Sequence, residues 1–256
     1  MEKRIIDVNG KKLYAEYNNS YENKPTIVFL HDSLGSVELW RDFPEKLAAE
    51  TECSILIYDR LGYGQSFPMP TYERENNYME TEADVLNDLL KVLNISEAIL
   101  FGHSDGGTIA LITAAKYPEK ITAVICEAGH IFVEDVTVKG VANALHAYKT
   151  TNLSDRLRKY HGNHVEIMVK AWTEIWLSDR FQDWNIEYLL KDIYAPLFFI
   201  QGENDEYGTL EQVQKTLSGV SGTSEKLIIP GVGHTPHKEV PEMVLKKSAE
   251  FISSII

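Results

Sequence analysis

The chain has 256 residues and a formal net charge of −13, from 25 lysines and arginines against 38 aspartates and glutamates. This acidic balance argues against a nucleic acid or an anionic membrane surface as the partner. No apolar run is long enough to span a bilayer, and the first residues lack the apolar core of a signal peptide. We therefore expect a cytoplasmic protein that acts on a small molecule, as a monomer or a homodimer.

Only two cysteines are present, Cys53 and Cys126, and both fall in apolar runs that are typical of buried strands. A disulfide framework is therefore excluded, and we interpret both as small buried thiols in a reducing compartment. The length and the 44% hydrophobic content suit a single α/β domain with a large core.

Apolar β-rich runs alternate with helical patterns along most of the chain. A hairpin comes first, with strands at residues 5–8 and 13–17 around the turn signal Asn9-Gly10. Further strands are predicted at residues 26–30, 54–58, 98–101, 121–126, 197–200 and 226–229. Helical spacing of apolar residues predicts helices at residues 38–49, 82–93, 108–116, 210–217 and 241–256. This alternation predicts a mostly parallel sheet with helices on both faces and an antiparallel edge.

One long segment interrupts the alternation. Residues 132–190 contain no clear strand, show helical periodicity and hold three of the four tryptophans. We interpret them as a helical cap, inserted into a core of residues 1–131 and 191–256. Trp172 and Trp176 are the predicted substrate contacts in this cap. Cap aromatic residues more often form the packing face of their helices, and this alternative stays open for Tyr160, Phe181 and Trp184.

The pentapeptide Gly102-His103-Ser104-Asp105-Gly106 carries the strongest chemical signal. An apolar strand precedes it and a helical pattern follows it, as in a tight strand-to-helix turn that exposes a nucleophilic serine. Gly102 and Gly106 have no side chains, so the strand and the helix can approach each other closely there. The alternative is a serine that only caps an ordinary helix, but both flanks favour a nucleophile.

A nucleophilic serine needs a base that removes its proton, and the base needs a carboxylate that fixes its tautomer. His234 follows the last predicted strand in a glycine-rich loop and is the predicted base, with His237 as the alternative. Asp205 follows the preceding strand and is the predicted acid, while Glu127 and Glu203 are the alternatives. The chain order of serine, aspartate and histidine is one that known triads use.

The oxyanion of such a reaction needs two backbone N–H donors. The N–H of Asp105 directly follows the nucleophile and is the first predicted donor. The second is the N–H of Ser33, in the loop after the strand at residues 26–30, with Leu34 as the alternative. The Leu34 side chain is also a predicted substrate contact.

Five blocks of the chain together resemble the α/β-hydrolase superfamily, and the resemblance covers nearly the whole sequence. The blocks are His31-Asp32-Ser33-Leu34-Gly35, Asp59-Arg60-Leu61-Gly62-Tyr63-Gly64-Gln65-Ser66, Gly102-His103-Ser104-Asp105-Gly106-Gly107, Gly202-Glu203-Asn204-Asp205 and Gly233-His234. The resemblance implies an α/β-hydrolase fold with a catalytic triad of Ser104, Asp205 and His234, and we expect no metal and no cofactor.

Asp32 departs from the family pattern, because relatives often carry glycine after the loop histidine. A carboxylate aimed at an oxyanion would oppose catalysis electrostatically. We therefore expect the Asp32 side chain to point away into a local hydrogen bond.

A narrower resemblance concerns the residue after the nucleophile. The run Ser104-Asp105-Gly106-Gly107, followed by Ala114-Ala115-Lys116-Tyr117-Pro118, is similar to the valacyclovirase (biphenyl hydrolase-like) branch, which cleaves amino-acid esters. That resemblance implies that Asp105 holds the amino group of the substrate. The alternative is that Asp105 only stabilises the helix N-terminus, by roughly 0.3–1 kcal/mol.

Other polar residues fit structural roles. His161 and His164 have a spacing that metal sites use, but no further ligands accompany them, and we expect a solvated cap surface. Arg60 is expected to form a structural ion pair. Asp179 and Asp183 are expected at solvated helix ends.

The sequence predicts a serine hydrolase that cleaves a small carboxylic ester through an acyl-enzyme. Cleavage of a carbon–carbon bond or a lactone on the same triad, and acyl transfer, are alternatives within enzymes. A hydrolase-fold ligand receptor without chemistry is the alternative outside enzymes, because the fold alone does not determine function.

Overall fold

Eight strands form one sheet in the computed structural model, which describes residues 1–21 and 23–256. The strands are β1 Glu2–Val8, β2 Lys11–Asn18, β3 Thr26–Leu30, β4 Ser54–Tyr58, β5 Ala98–His103, β6 Ile121–Glu127, β7 Leu197–Gly202 and β8 Ser224–Ile229. Their spatial order is β1-β2-β4-β3-β5-β6-β7-β8. Strands β1 and β2 are antiparallel, β2 is antiparallel to β4, and every other neighbouring pair is parallel. The predicted sheet and its antiparallel edge are confirmed.

The central strands are buried on both faces because helices cover both. In β3, Val28 and Leu30 pack into one apolar cluster, while Ile27 and Phe29 pack into another on the opposite face. Side chains of a strand alternate between faces, so one continuous apolar run supplies two cores.

The helices are α1 Phe43–Thr51, α2 Tyr78–Val92, α3 Asp105–Lys116, α4 Asp135–Thr150, α5 Leu153–His161, α6 Val165–Trp176, α7 Leu210–Gly219, α8 Pro236–Glu239 and α9 Pro241–Ser253. None of the helices in the described ranges combines the length and hydropathy that a membrane span requires. Helices α4, α5 and α6 lie within residues 132–190, so the predicted helical insertion is confirmed, whereas its boundaries as a cap stay a prediction.

The predicted single helix at residues 38–49 is wrong. The structure has a short 3-10 turn, Val37–Trp40, and then α1. Arg41 has φ 54°, a left-handed conformation that ends the first turn, and Pro44 lies in the first turn of α1, where its missing N–H costs nothing. Apolar periodicity continues across this break, which is why the sequence pattern did not reveal it.

Candidate active site

Ser104 lies at a sharp turn between β5 and α3. Its backbone has φ 55° and ψ −122°, a conformation that few residues other than glycine adopt. A Cβ on Gly102 would overlap the Gly106 carbonyl oxygen, and a Cβ on Gly106 would overlap the Leu30 carbonyl oxygen. Glycine is therefore required at both positions for the strand and the helix to meet at this turn.

The Ser104 hydroxyl, the His234 ring and the Asp205 carboxylate form one hydrogen-bonded chain. His234 Nε2 lies 3.0 Å from Ser104 Oγ, and His234 Nδ1 lies 2.9 Å from both oxygens of Asp205. An ionised carboxylate only accepts, so Nδ1 is assigned the ring proton and Nε2 accepts from the serine. The structure thus brings together the three residues that the sequence predicted as a triad.

Asp205 is fixed by donors besides His234. The Tyr207 N–H donates to its Oδ1 at 2.8 Å, and the Gln201 side-chain amide donates to its Oδ2 at 2.8 Å. Burial opposes ionisation of Asp205, but the charge and the hydrogen bond of His234 hold the pKa of its carboxyl below the usual value. Burial also opposes charging of His234, but Asp205 outweighs it and raises the pKa of this imidazole. The carboxylate can therefore stabilise an imidazolium.

The alternative base and one alternative acid bind each other. His237 Nδ1 lies 2.6 Å from Glu127 Oε1, and both side chains are buried. Burial opposes ionisation of Glu127, but His237 holds the pKa of its carboxyl below the usual value. The other alternative acid, Glu203, is exposed and accepts from the Gly231 N–H at 3.3 Å. The Ser104 N–H donates to the Glu127 carbonyl oxygen at 2.8 Å, but in the described ranges none of these three side chains forms a hydrogen bond with Ser104 Oγ.

The predicted oxyanion donors line the same pocket as Ser104. Ser33, Leu34 and Asp105 all lie on its wall. In the part of the chain that the structure describes, the N–H groups of these three residues donate to no other protein group. Unoccupied N–H groups beside a nucleophile are what a developing oxyanion requires, and Asp105 also begins helix α3.

The expected local hydrogen bond of the Asp32 side chain is wrong. No hydrogen bond to its carboxylate occurs among the described residues, and Asp32 lines the pocket. The loop is fixed instead through the Asp32 carbonyl oxygen, which accepts from Arg60 Nη2 at 2.9 Å and from His31 Nδ1 at 2.7 Å. The carboxylate itself packs against Gly35, where an added Cβ would overlap Asp32 Oδ1.

Asp105 has partners within the protein. The Tyr78 hydroxyl donates to its Oδ2 at 3.0 Å, and Arg60 Nη1 lies 3.8 Å from the same oxygen. Both charged side chains are buried, so the predicted structural ion pair of Arg60 is confirmed. These contacts account for the Asp105 charge without a substrate, and its binding of an amino group stays a prediction.

The pocket around Ser104 also contains residues that the sequence did not single out. Trp172 and Trp176, the predicted substrate contacts of the cap, line it, and four further lining residues were missed: His130, Thr137, Val141 and Tyr207. The Tyr207 ring centre lies 4.6 Å from that of His234. His130 and Tyr207 follow β6 and β7, and the rule that sites lie beyond the carboxyl ends of parallel strands could have found them. Thr137 and Val141 lie on helix α4, and no motif or strand end in the sequence points to them.

The remaining cap aromatics lie elsewhere. Phe181 and Trp184 stack on each other with ring centres 5.2 Å apart, and both are buried in the apolar core. Tyr160 lines a neighbouring cleft. Asp179 and Asp183 are exposed as predicted.

His161 contradicts the expected solvated surface. It is buried, its Nδ1 accepts from the Gly64 N–H at 2.9 Å, and its Nε2 lies 3.0 Å from the Leu34 carbonyl oxygen. His164 is half-buried and is not part of this arrangement. The spacing of two histidines could not reveal these contacts, because the partners lie 97 and 127 residues earlier in the chain.

Three buried residues among those described have ligand atoms close enough to hold a metal ion. His103, Glu127 and His237 offer ligand atoms that lie within 4.8 Å of one another. Hydrogen bonds already join Glu127 to His237, and His103 Nε2 lies 2.8 Å from the His234 carbonyl oxygen. Burial lowers the pKa of His103 to about 3, so its ring is neutral and Nε2 can donate to that oxygen.

Comparison with known proteins defines the class. The family model described as the α/β hydrolase fold matches residues 25–171, more than half of the chain, so the chain belongs to the α/β hydrolase fold family. It is a hydrolase enzyme of this family, since its curated relatives are named as hydrolases.

Two relatives and one solved structure illustrate the similarity. The chain is 29% identical to human "Serine hydrolase BPHL" over 78% of this chain and 69% of that protein. It is 22% identical to the 2-hydroxy-6-oxononadienedioate/2-hydroxy-6-oxononatrienedioate hydrolase of Escherichia coli K12 over 90% of this chain and 87% of that protein. The structure of an enol-lactonase from Burkholderia xenovorans shares the fold, with a TM-score of 0.78 and 19% identity over 98% of this chain and 100% of the other.

Proposed function

We propose that this hydrolase cleaves small carboxylic esters through an acyl-enzyme on Ser104. The observation that carries the proposal is the unbroken hydrogen-bonded chain from Asp205 through His234 to Ser104. Removing the serine proton through an oriented imidazole converts a poor nucleophile into an effective one. No other described side chain makes a hydrogen bond to Ser104 Oγ.

The first half of the reaction forms the acyl-enzyme. His234 Nε2 takes the proton as Ser104 Oγ attacks the carbonyl carbon, and the carbonyl electron pair moves to its oxygen. The N–H groups of Asp105 and Ser33, or Leu34 in its place, stabilise that oxyanion. When the carbonyl re-forms, the bond to the alcohol oxygen breaks and His234 gives the proton to this leaving group.

The second half releases the acid. His234 takes a proton from water, whose oxygen attacks the acyl carbon, and the bond to Ser104 Oγ breaks as the serine regains its proton. Asp205 stabilises the imidazolium in both halves.

The pocket favours a small group next to the scissile carbonyl. Its volume of about 60 Å³ is enough for roughly four to six water molecules. Trp172, Trp176 and Val141 give it apolar walls. A short acyl chain therefore fits this pocket. The cytoplasmic location of the protein and its monomeric or dimeric state stay predictions.

A substrate panel separates this proposal from its alternatives. We expect 4-nitrophenyl acetate or butyrate to be cleaved with a higher kcat/KM than a lactone, a thioester or a vinylogous diketone. Ser104→Ala should lower ester cleavage by about 10³-fold or more. Cleavage of the diketone alone would instead support a carbon–carbon hydrolase, as the name of the E. coli relative suggests. Folded protein that cleaves none of these substrates would support the alternative of a ligand receptor without chemistry.

The finer prediction, a preference for α-amino esters through Asp105, has its own test. Glycine and propionate esters of one alcohol differ mainly in the amino group, and we compare them in the wild type and in Asp105→Ala. A preference for glycine that disappears in the variant supports the prediction. Equal cleavage in both proteins would reject it.

A further inference from the structure

A second cleft adjoins the Ser104 pocket and carries the opposite charge to the protein as a whole. Its volume is about 340 Å³, and Asp32 and Leu34 line both cavities. Four basic residues line this cleft: Arg41, Arg156, Lys159 and Lys238. Asp32 is the one acidic residue on its described wall. In a chain with a net charge of −13, this is a local reversal of charge.

The four cations of this basic cleft are available to a ligand. None of them forms an ion pair with another described residue. The carboxylates next to them in the chain have other partners. Asp155 pairs with Arg158 at 3.0 Å, and Asp42 pairs with Lys46 at 3.0 Å. Glu239, which follows Lys238, accepts from the N–H groups of Gly233 and Thr235 at 3.0 and 3.1 Å. Asp32 is one carboxylate on the cleft wall against four cations, so a net positive charge remains there.

Three separate segments bring these cations together. Arg156 and Lys159 project from α5, Lys238 from α8, and Arg41 from the residue that ends the Val37–Trp40 turn. Arg41 has φ 54° and ψ −131°, a conformation that is costly for any residue except glycine. A non-glycine residue persists in such a conformation only where the surrounding structure fixes it, and here it places a guanidinium on the cleft wall.

The wall of the basic cleft is apolar between the cations. Four leucines and one tyrosine complete the lining: Leu34, Leu39, Leu153, Leu157 and Tyr160. An apolar wall with cations around it suits a short carbon chain that ends in an anionic group. The guanidinium groups of Arg41 and Arg156 can bind carboxylate or phosphate oxygens in pairs.

The Ser104 pocket is too small for the whole of a larger ester. At about 60 Å³ it holds one side of the scissile bond, and the basic cleft is the larger space beside it. The Asp32 carboxylate lies between them. Lys238 holds the pKa of this carboxyl below its usual range although burial opposes ionisation, so the group is charged near pH 7. The described wall of the Ser104 pocket has no lysine or arginine that offsets this charge, whereas the basic cleft has four, so an anion is favoured in the cleft.

We propose that the basic cleft binds an anionic group, a carboxylate or a phosphate, on the substrate whose ester bond Ser104 cleaves. The proposal rests on the proposed function and adds the substrate class. Interactions with exposed charges are individually weak, but several cations acting together raise the local concentration of an anionic substrate.

Matched pairs of esters test it, and the members of each pair differ in whether one group is anionic or a neutral methyl ester. The acyl side is tested by 4-nitrophenyl hydrogen glutarate against its methyl ester. The alcohol side is tested by 4-acetoxybenzoate against its methyl ester. A phosphate is tested by 4-acetoxyphenyl phosphate against its dimethyl ester. In at least one pair we expect kcat/KM of the anionic member to be about threefold or more above that of the neutral one, chiefly through KM. Added salt should lower this ratio.

Two variants on one helix provide the control. Arg156→Gln removes a cation that lines the cleft, whereas Arg158→Gln removes one that pairs with Asp155 and does not line it. Arg156→Gln, and more strongly Arg156→Gln with Lys159→Gln, should lower the ratio toward one, and Arg158→Gln should not. Ratios at or below one for all pairs in the wild type, or an equal decrease in the two single variants, would overturn the proposal.

Calorimetric titration with glutarate tests the cleft without turnover. Glutarate binding that Arg156→Gln weakens and Arg158→Gln does not would support the basic cleft even if no ester were cleaved, and in that case only the proposed function fails. If esters are cleaved but glutarate does not bind and no pair shows a preference, the cleft proposal fails alone.

Discussion

His161 of helix α5 contacts the loop that carries the predicted oxyanion donors, with its Nε2 3.0 Å from the Leu34 carbonyl oxygen. Because the Gly64 N–H donates to Nδ1, the ring proton lies on Nε2 and is donated to Leu34. Burial lowers the pKa of His161, so the ring stays neutral near pH 7. A residue within the helical insertion therefore fixes the backbone beside Ser104.

Replacing this histidine should impair both catalysis and stability. His161→Ala leaves a buried carbonyl and a buried N–H without partners, which costs about 1–3 kcal/mol of unfolding free energy for each group. Displacement of the oxyanion loop should lower kcat by about 10-fold to 100-fold. Ester kinetics and urea unfolding measure the two effects, and His164→Ala is the control because that side chain makes none of these bonds. Unchanged kcat in folded His161→Ala would contradict the role.

The pH dependence of kcat/KM should report the Asp205–His234 pair. The base must be neutral to accept the Ser104 proton, so activity falls as the pH drops through the pKa of His234. Asp205 raises that pKa, and the acid limb should therefore lie above the usual value for histidine.

Asp205→Asn is the matching variant for that measurement. It should shift the acid limb to lower pH and decrease kcat by about 10³-fold to 10⁴-fold, because the neutral amide no longer stabilises the imidazolium. Profiles between about pH 5 and 9 suffice for the comparison. An acid limb at the same pH in both proteins would show that another group titrates.

The buried Glu127–His237 pair should contribute to stability. Glu127→Ala leaves His237 without its carboxylate in a buried position and should lower the unfolding free energy by about 3–5 kcal/mol. Glu203→Ala removes an exposed carboxylate and serves as the control, with an expected effect within about 0.5 kcal/mol. Urea unfolding at neutral pH measures both, and equal small effects would contradict a stabilising pair.

The same pair gives a pH signature. His237 lowers the folded-state pKa of Glu127, so the carboxylate stabilises the fold above the unfolded-state pKa of about 4.3, and this contribution is lost as the pH falls through the lower folded value. The stability difference between the wild type and Glu127→Gln should therefore decrease below about pH 4.

The core of the fold could be predicted from the sequence because short-range patterns determine it. Strands Thr26–Leu30 and Ser54–Tyr58 have the predicted bounds, since each is one apolar run buried on both faces. The wrong prediction of a single helix at residues 38–49 has a different cause. Apolar periodicity describes which side chains are buried, and it does not report a left-handed backbone at Arg41.

In the candidate site, too, some contacts could be expected from the sequence and others could not. Ser104, Asp205 and His234 follow strands of the parallel sheet, so their meeting could be expected from topology. The contacts of His161 and of the residues of α4 depend on how the insertion packs on the loops, and neither spacing nor motif determines that packing.

Labelling with a fluorophosphonate, followed by peptide mapping, tests the central claim most directly. We predict one adduct on Ser104 in the wild type, none at that position in Ser104→Ala, and labelling at least about 10²-fold slower in His234→Ala. A folded wild-type protein without the adduct, or an adduct on another serine that persists in Ser104→Ala, would contradict the assignment of Ser104 as the nucleophile.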